Sequence, residues 1–453
     1  MPDPPARQNI PPLPLSIGEE PGFGAAVPLI LLLICAALYF VNPILALALA
    51  GGSLVMLFAY RQPTLWLAIA FAAGILPQSL LGDSSSVFVA FSDVMALLMI
   101  VVLVAYALAR RVQPTLAALK LPLFVFLSAA ALSCLANWRG ADAAVQFGRM
   151  IEFTLFTTLL FATFIRTTAD MERCFILLLI AEFGLGLAAT VGFAAGARNG
   201  LYILGMHKNA IGPSLACGVV VGLVYLRAPD IKPRWKPYIL VAFAFALIGT
   251  ILSLSRGAWT AAAVSCLLVL ALRRDVRGLG IMMALAVPIF AVCWSLLPSD
   301  SAQYAGNLSL GAHTMQIRLD HQAKALDLWR AHPILGDGVG LAKLMNPENV
   351  YVQALAETGL VGLAAFLFLL GSVYAFVFRV RRMVTAQNLW NTPAGRILLC
   401  CAGVFTVPTV HGAIDVYWRR GVVFLAWAAA GLCIALFLNL KRSAAARPMA
   451  EHQ

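Results

Sequence analysis

The sequence predicts an all-α polytopic membrane protein with about 14 transmembrane helices (roughly 12 to 14) and one long loop between them. Of its 453 residues, 61% are hydrophobic and only 11% are charged, too few polar side chains to cover a water-facing surface. Apolar stretches of about 17–25 residues, each long enough to cross about 30 Å of hydrocarbon, recur along the chain. The one long hydrophilic interruption is 298–348.

The predicted spans follow one another with short connections. In order they are 24–41, 43–60, 64–81, 92–109, 121–137, 145–165, 174–195, 206–226, 236–254, 257–273, 279–297, 350–378, 395–412 and 417–439. The proline-rich residues 1–23 have no small-residue cleavage site after a short apolar core, so we predict a disordered tail and not a signal peptide. A single transmembrane domain, 24–440, is then followed by a second tail, 441–453.

The distribution of positive charge predicts the orientation of the spans. An even number of spans places both termini on one side of the membrane. Lys and Arg concentrate in the tails and in alternate loops such as "ARRVQPTLAALK" and "RAPDIKPRWK", which assigns that side to the cytoplasm. The loop 298–348 is then periplasmic. The net charge of +12 reflects this topology and not nucleic-acid binding.

Cysteines and glycines give no sign of a cofactor. The nine cysteines lie within predicted spans without a CxxC pair, so they are expected to be small core residues and no disulfide or metal site is predicted. The segment "HPILGDGVG", 332–340, follows an amphipathic helix expected to lie at the membrane surface. Because no strand precedes it and no Lys-Ser/Thr pair follows, it predicts a tight turn and not a phosphate loop.

Two cationic groups stand at predicted external helix ends. Arg256 lies in the short turn "SLSRGAW" beside Ser253 and Ser255. It is either a side chain that reaches the interface or a bidentate ligand for phosphate oxygens. Lys208 precedes Asn209 in "GMHKNAIGP". It either marks the interface or holds a diphosphate together with Arg256.

Two further segments combine acids, amides and imidazole at the same predicted side. His411 and Asp415 in "VPTVHGAIDVYWRRG" share a face if that turn is helical, either as a satisfied hydrogen-bonded pair or in proton transfer, and Arg419 follows them. Glu348 and Asn349 open the span "ENVYVQALAETGLVG". An acid there either caps the helix or acts as a general base.

Taken together, these segments resemble the O-antigen ligase and polymerase superfamily of bacterial envelope glycosyltransferases. "SLSRGAW", "IRLDHQAKALDLWRAHPILGDGVG", "ENVYVQALAETGLVG" and "HGAIDVYWRRG" carry the resemblance, which covers about residues 200–435. In the ligase branch a histidine stands where this chain has Glu348, before the matching Asn349, Gly359 and Gly362. This departure favours a polymerase. Both glycines are expected to permit close contact between helices.

The resemblance implies a GT-C-like helical enzyme of the bacterial inner membrane that uses no nucleotide sugar, metal or other cofactor. Its substrate would be an oligosaccharide linked to undecaprenyl diphosphate, and its partners membrane lipid and a chain-length regulator or flippase. Departure of the diphosphate develops negative charge that arginines stabilise. Glu348 is the expected base, with His332 or His411 as the fallback. The expected substrate-binding residues are Arg256, Arg318, Lys208, Asn209, Arg330, Asn349, Asp415 and Arg419.

Two other functions remain open at this stage. A ligase would transfer the finished glycan to a lipid or protein acceptor. A flippase or other transporter is suggested by Arg149, Glu152 and Glu182, which lie inside predicted spans. Because Arg149 and Glu152 are three residues apart, we expect them to form an intrahelical pair that neutralises both charges.

Overall fold

A computed structural model describes residues 55–75, 91–109, 111–195, 202–203, 206–296, 313–341, 347–415 and 421–450. The chain divides into two compact units, Met1–Gln62 and Pro63–Gln453. In the first unit the described element is helix α1, Val55–Arg61. The predicted span 24–41 and most of 43–60 lie outside the described residues.

The second unit is a bundle of helices. Its described helices are α2 (Pro63–Ala73), α3 (Phe91–Leu108), α4 (Lys120–Ala136), α5 (Ala141–Phe164), α6 (Thr168–Ala194), α7 (Lys208–Leu226), α8 (Lys236–Leu252), α9 (Arg256–Arg273), α10 (Val276–Leu296), α11 (His313–Ala331), α12 (Val350–Ala386), α13 (Pro393–His411) and α14 (Gly421–Ala450). The two-residue strands β1 (Tyr202–Ile203) and β2 (Met206–His207) pair antiparallel before α7.

Within the described residues, 10 helices are long and apolar enough to cross a membrane. The prediction of an all-α polytopic membrane protein is therefore confirmed. The total of about 14 spans, the GT-C-like arrangement, the domain limits 24–440 and the periplasmic position of 298–348 stay predictions. The last helix continues to Ala450, so the residues from 441 to 450, predicted as a tail, extend α14.

Helices α7, α13 and α14 form the centre of the bundle. Their apolar windows are 89%, 83% and 89% buried, compared with 6% for α10, whose apolar surface is left for lipid. Small residues allow the central helices to approach their neighbours closely. At Gly218 in α7, for example, an added Cβ would lie 2.6 Å from the Cβ of Glu182 in α6.

Ion pairs join the helix ends where α7 finishes and α10 begins. Arg227 after α7 donates from Nε and Nη2 to the carboxylate of Asp275 before α10, at 2.9 and 3.0 Å. Arg396 in α13 is buried and pairs with both Glu172 and Asp230. These contacts fix the ends of α6, α7, α10 and α13 at the end of the bundle that lies opposite the start of α7.

Helix α12 is interrupted by a kink. Its 37 residues would extend about 55 Å, well beyond a hydrocarbon core of about 30 Å. Gly359 has φ 65° and ψ −165°, a conformation that is essentially restricted to glycine. The expected close contact at Gly359 is made with the loop 332–340, since an added Cβ would overlap the carbonyl of Ile334, and not with another helix.

The loop 332–340, called here the glycine loop, supplies hydrogen-bond partners around the kink. Leu360 N donates to the carbonyl of Pro333 at 2.9 Å. Asp337 N donates to Ala356 O at 2.8 Å, and Gly338 N donates to Glu357 O at 3.0 Å. Backbone groups that the kink releases from the helix are thus satisfied by the loop.

Of the charged residues predicted inside spans, Glu182 is buried, whereas Arg149 and Glu152 are partly exposed. All eight cysteines in the described part of the chain are buried and free, which confirms their role as small core residues there. Glu182 is fully buried and its Oε1 accepts from Ser214 Oγ at 2.9 Å. A π-helical segment, Ile151–Thr157, lies within α5. The pairing of Arg149 with Glu152 stays a prediction.

Candidate functional site

Two helix N-termini lie side by side at one end of the bundle. Helix α7 is capped by His207, whose Nδ1 accepts from Asn209 N at 3.3 Å. Helix α9 is capped by Ser255, whose Oγ accepts from Ala258 N at 3.4 Å. Ser255 Oγ also donates to Asn209 Oδ1 at 3.3 Å, which joins the two caps directly. Paired N-termini create a positive electrostatic potential that favours an anion.

Each of these N-termini also carries a cationic side chain. Lys208 is the first residue of α7 and is only 7% exposed, while Arg256 is the first residue of α9 and is partly exposed. A cation at a helix N-terminus is opposed by the helix dipole, which favours cations at the other end. The position is therefore poor for helix stability and well suited to holding a polyanion between the two helices.

The end of α13 packs against the first turn of α9. An added Cβ at Gly257 would lie 2.8 Å from Ile414 Cγ1 and 3.0 Å from His411 Cδ2, so the imidazole lies close to the chain at Arg256. His411 and Asp415 are both buried. The helix ends at His411, however, so Asp415 lies in the following turn and the helical i, i+4 relation considered from the sequence is not formed. Arg419 lies outside the described residues.

The start of α12 reaches the same end of the bundle. Val350 N donates to the carbonyl of Gly412 at 2.7 Å, which ties the first residue of α12 to the residue that follows α13. Asn349 caps α12, because its Oδ1 accepts from Tyr351 N at 2.9 Å and from Val352 N at 3.2 Å. The capping role considered for Glu348 is therefore filled by Asn349.

Glu348 forms an ion pair instead. Its Oε2 lies 2.5 Å from Nε of Arg318 in α11, and the two side chains are 25% and 24% exposed. Glu348 has φ 47°, in the left-handed region, which disfavours a residue with a Cβ by about 1–2 kcal/mol. Strain of this kind is concentrated at functional sites. It places the carboxylate towards Arg318 and away from the helix cap.

Arg330, near the end of α11, and His332, which follows this helix, both lie at the surface. Arg330 Nη1 pairs with Asp327 Oδ1 at 2.6 Å, and both side chains are about two thirds exposed, as in an ordinary i, i+3 surface pair. His332 is half exposed, and its Nε2 lies 3.6 Å from Oδ1 of Asp337. Asp337 pairs in turn with Arg139, which follows α4.

The structure adds residues that the sequence did not point to. Asn137 Nδ2 donates to Gly336 O at 2.9 Å, and Arg139 Nε donates to Asp337 O at 2.8 Å. The fully buried Glu357 accepts from Gly340 N at 3.2 Å. Together they clamp the glycine loop to α4 and α12. The sequence offered one signal for Glu357: it is a single acid in an apolar stretch, two residues before Gly359.

The glycine loop itself is the tight turn that the sequence predicted. Gly336, Gly338 and Gly340 have φ of 71°, 96° and 107°, values open to glycine and rare for other residues. Among the described residues, no group of three or more His, Cys, Asp or Glu side chains is arranged to hold a metal ion.

Residues 241–367 match the family described as "O-Antigen ligase". No curated protein matches the chain. The matched segment includes Arg256, Arg318 and Glu348, while Lys208 and His411 lie on either side of it. The resemblance to the O-antigen ligase and polymerase superfamily is thereby confirmed over this segment.

Proposed function

We propose that this protein, whose residues 241–367 match the family described as "O-Antigen ligase", is a glycosyltransferase that polymerises glycan repeat units on undecaprenyl diphosphate. The reaction would take place at the periplasmic face of the bacterial inner membrane. The observation that carries the proposal is the pair of joined helix N-termini with Lys208 and Arg256 at their first positions. This arrangement is suited to a diphosphate at the membrane surface.

The cations would act on the leaving group. When the acceptor hydroxyl oxygen forms its bond to the anomeric carbon, the bond from that carbon to the diphosphate oxygen breaks and its electron pair stays with the phosphate. Arg256 and Lys208 would stabilise this developing charge, assisted by the N–H groups of the two helix termini. Asn209, linked to Ser255, would contribute its amide.

Glu348 would receive the proton of the acceptor hydroxyl. Arg318 orients this carboxylate through the 2.5 Å ion pair. A guanidinium carries five N–H donors, so one contact with Glu348 does not prevent Arg318 from also binding phosphate oxygens. His332, beside Asp337, and the buried His411 are the alternative bases. Asn349, Asp415, Arg330 and Arg419 complete the proposed substrate-binding set.

A ligase is the second candidate, favoured by the description of the matched family. The same cations and base would serve this reaction, because only the acceptor differs. A transporter is a weaker candidate that would draw on the fully buried Glu182 in α6. The products of the assay distinguish the ligase and the transporter from the polymerase.

Purified full-length protein incubated with a lipid-linked repeat unit tests the proposal. Release of undecaprenyl diphosphate with longer glycan on the lipid supports a polymerase, whereas glycan on another acceptor supports a ligase. Movement of the lipid without release supports a transporter. We expect Arg256→Ala to lower the release rate by about 10²–10³-fold. The matched control is Arg173→Ala, because Arg173 makes an exposed pair with Asp170. A wild-type rate in Arg256→Ala would exclude the proposed diphosphate site.

A further inference from the structure

A small polar cavity lies at the opposite end of the bundle from the candidate site. It has a volume of about 40 Å³, and five of its nine lining residues are polar. They are Gln113, Thr115, Thr163, Arg166 and Arg442. We call it the arginine cavity. Helix α14 begins at Gly421 and carries Arg442 on its sixth turn, about 30 Å away along the helix axis, which equals the thickness of the hydrocarbon core.

Two guanidinium groups face this cavity without an acidic neighbour in its lining. Burial lowers the pKa of Arg166 from its ordinary value, and the charge of Arg442 lowers it further. In the part of the chain that the structure describes, neither arginine forms an ion pair with a carboxylate. Arg166 is partly exposed and Arg442 is exposed, so their like charges repel each other across this space and an anion between them would be favourable.

The walls of the cavity are fixed by hydrogen bonds. Arg166 Nε donates to Thr163 O at 3.0 Å, and Asn439 Nδ2 in α14 donates to the carbonyl of Arg166 at 3.1 Å. Thr115 N donates to Thr163 Oγ1 at 3.4 Å. These bonds hold the segment before α4, the segment after α5 and helix α14 together. A ligand would therefore meet donors that are already in position.

We propose that the arginine cavity binds a phosphate group, supplied either by the headgroup of an anionic phospholipid or by free phosphate. Two guanidinium forks can contact several phosphate oxygens at once, and the threonine hydroxyls and the Gln113 amide can donate to the others. The cavity lies where α5 ends and where α4 begins, at the level of lipid headgroups for helices of this length. The proposal is independent of the proposed transferase reaction.

Binding can be measured on the full-length protein in detergent after removal of lipid. The probes are phosphatidylglycerol, phosphatidylcholine and inorganic phosphate, with affinity read by native mass spectrometry and by the shift of Tm. The test variants are Arg166→Gln and Arg442→Gln, singly and combined. Lys441→Gln is the matched control, since it removes one charge from the adjacent residue of α14 and Lys441 contacts Phe437 instead of the cavity.

We expect phosphatidylglycerol or inorganic phosphate to bind the wild-type protein and Lys441→Gln equally. Each arginine substitution should weaken that binding by about tenfold. Preference for phosphatidylglycerol identifies a lipid site, and preference for inorganic phosphate identifies a free-anion site. If Arg166→Gln fails to fold, the binding measured for Arg442→Gln decides the test, because Arg442 is exposed and its replacement should not disturb folding. Wild-type affinity for both anions in Arg442→Gln, or equal binding of phosphatidylcholine, would overturn the proposal.

Discussion

Replacing Glu348 by Gln separates the catalytic role of this residue from its structural role. The substitution removes the charge and keeps the size of the side chain. The ion pair with Arg318 is 2.5 Å long and about three quarters buried. An exposed ion pair contributes about 0–1 kcal/mol, and breaking a fully buried pair costs about 3–5 kcal/mol. We therefore expect the free energy of unfolding to fall by about 1–2 kcal/mol.

Activity should fall much further. A general base contributes about 10²–10⁴-fold to a rate, whereas a loss of 1–2 kcal/mol leaves a protein with roughly 5–15 kcal/mol of stability folded. The measurement is release of undecaprenyl diphosphate per folded enzyme, with the amount of folded enzyme taken from the monodisperse chromatographic peak. Unfolding cannot then account for a loss of this size.

Two companion substitutions strengthen the test. Glu348→His introduces another base, so we expect partial activity and a pH–rate profile whose acid side moves to higher pH, because imidazole has the higher ordinary pKa. Glu348→Gly removes the ion pair but relieves the strain at φ 47°, so stability should stay close to wild type while activity is lost. More than a tenth of wild-type activity in Glu348→Gln would refute the role of general base.

Three further predictions concern the fold. Gly359→Ala should destabilise the protein by more than about 3 kcal/mol, because it forces a non-glycine residue into the kink. The control is Gly371→Ala in the same helix. Because Gly371 has open space around it, this substitution should be neutral or slightly stabilising in thermal unfolding. Asn349→Ala should lower the free energy of unfolding by about 0.5–2 kcal/mol through loss of the cap of α12, and an unchanged Tm would contradict that assignment. The hydrogen bond from Arg227 lowers the pKa of Asp275 below its ordinary 3.8, so the stabilisation is complete well above pH 3.8 and is lost as the pH falls below it. The stability difference between wild type and Asp275→Asn, measured by denaturant unfolding from about pH 6 to about pH 3, should therefore shrink on acidification.

Most of the helices could be predicted from the sequence because a membrane span is defined by composition and length alone. Each predicted span from 64–81 onward contains a described helix, and several ends agree within a few residues. The kink of α12 could not be read in this way. A glycine in an apolar stretch also fits close helix packing, and only the docked glycine loop shows that Gly359 interrupts the helix.

The candidate site was predictable as a set of residues but not as a set of contacts. The link between Asn209 and Ser255 joins segments far apart in the sequence, and no local pattern encodes it. The sequence also left open which residue caps α12, because that choice depends on the left-handed backbone of Glu348. Glu357 was missed because its partner Gly340 lies in the glycine loop, which the sequence does not place beside α12.

The joint between the glycine loop and α12 sets an order of assembly. Residues 333–338 emerge from the ribosome before the turns at 356–361 that receive them. The main-chain groups of the loop therefore have no partners in α12 until the next span has been synthesised. The two segments close on each other only afterwards, so the kink of α12 forms late and depends on a loop that was made before it.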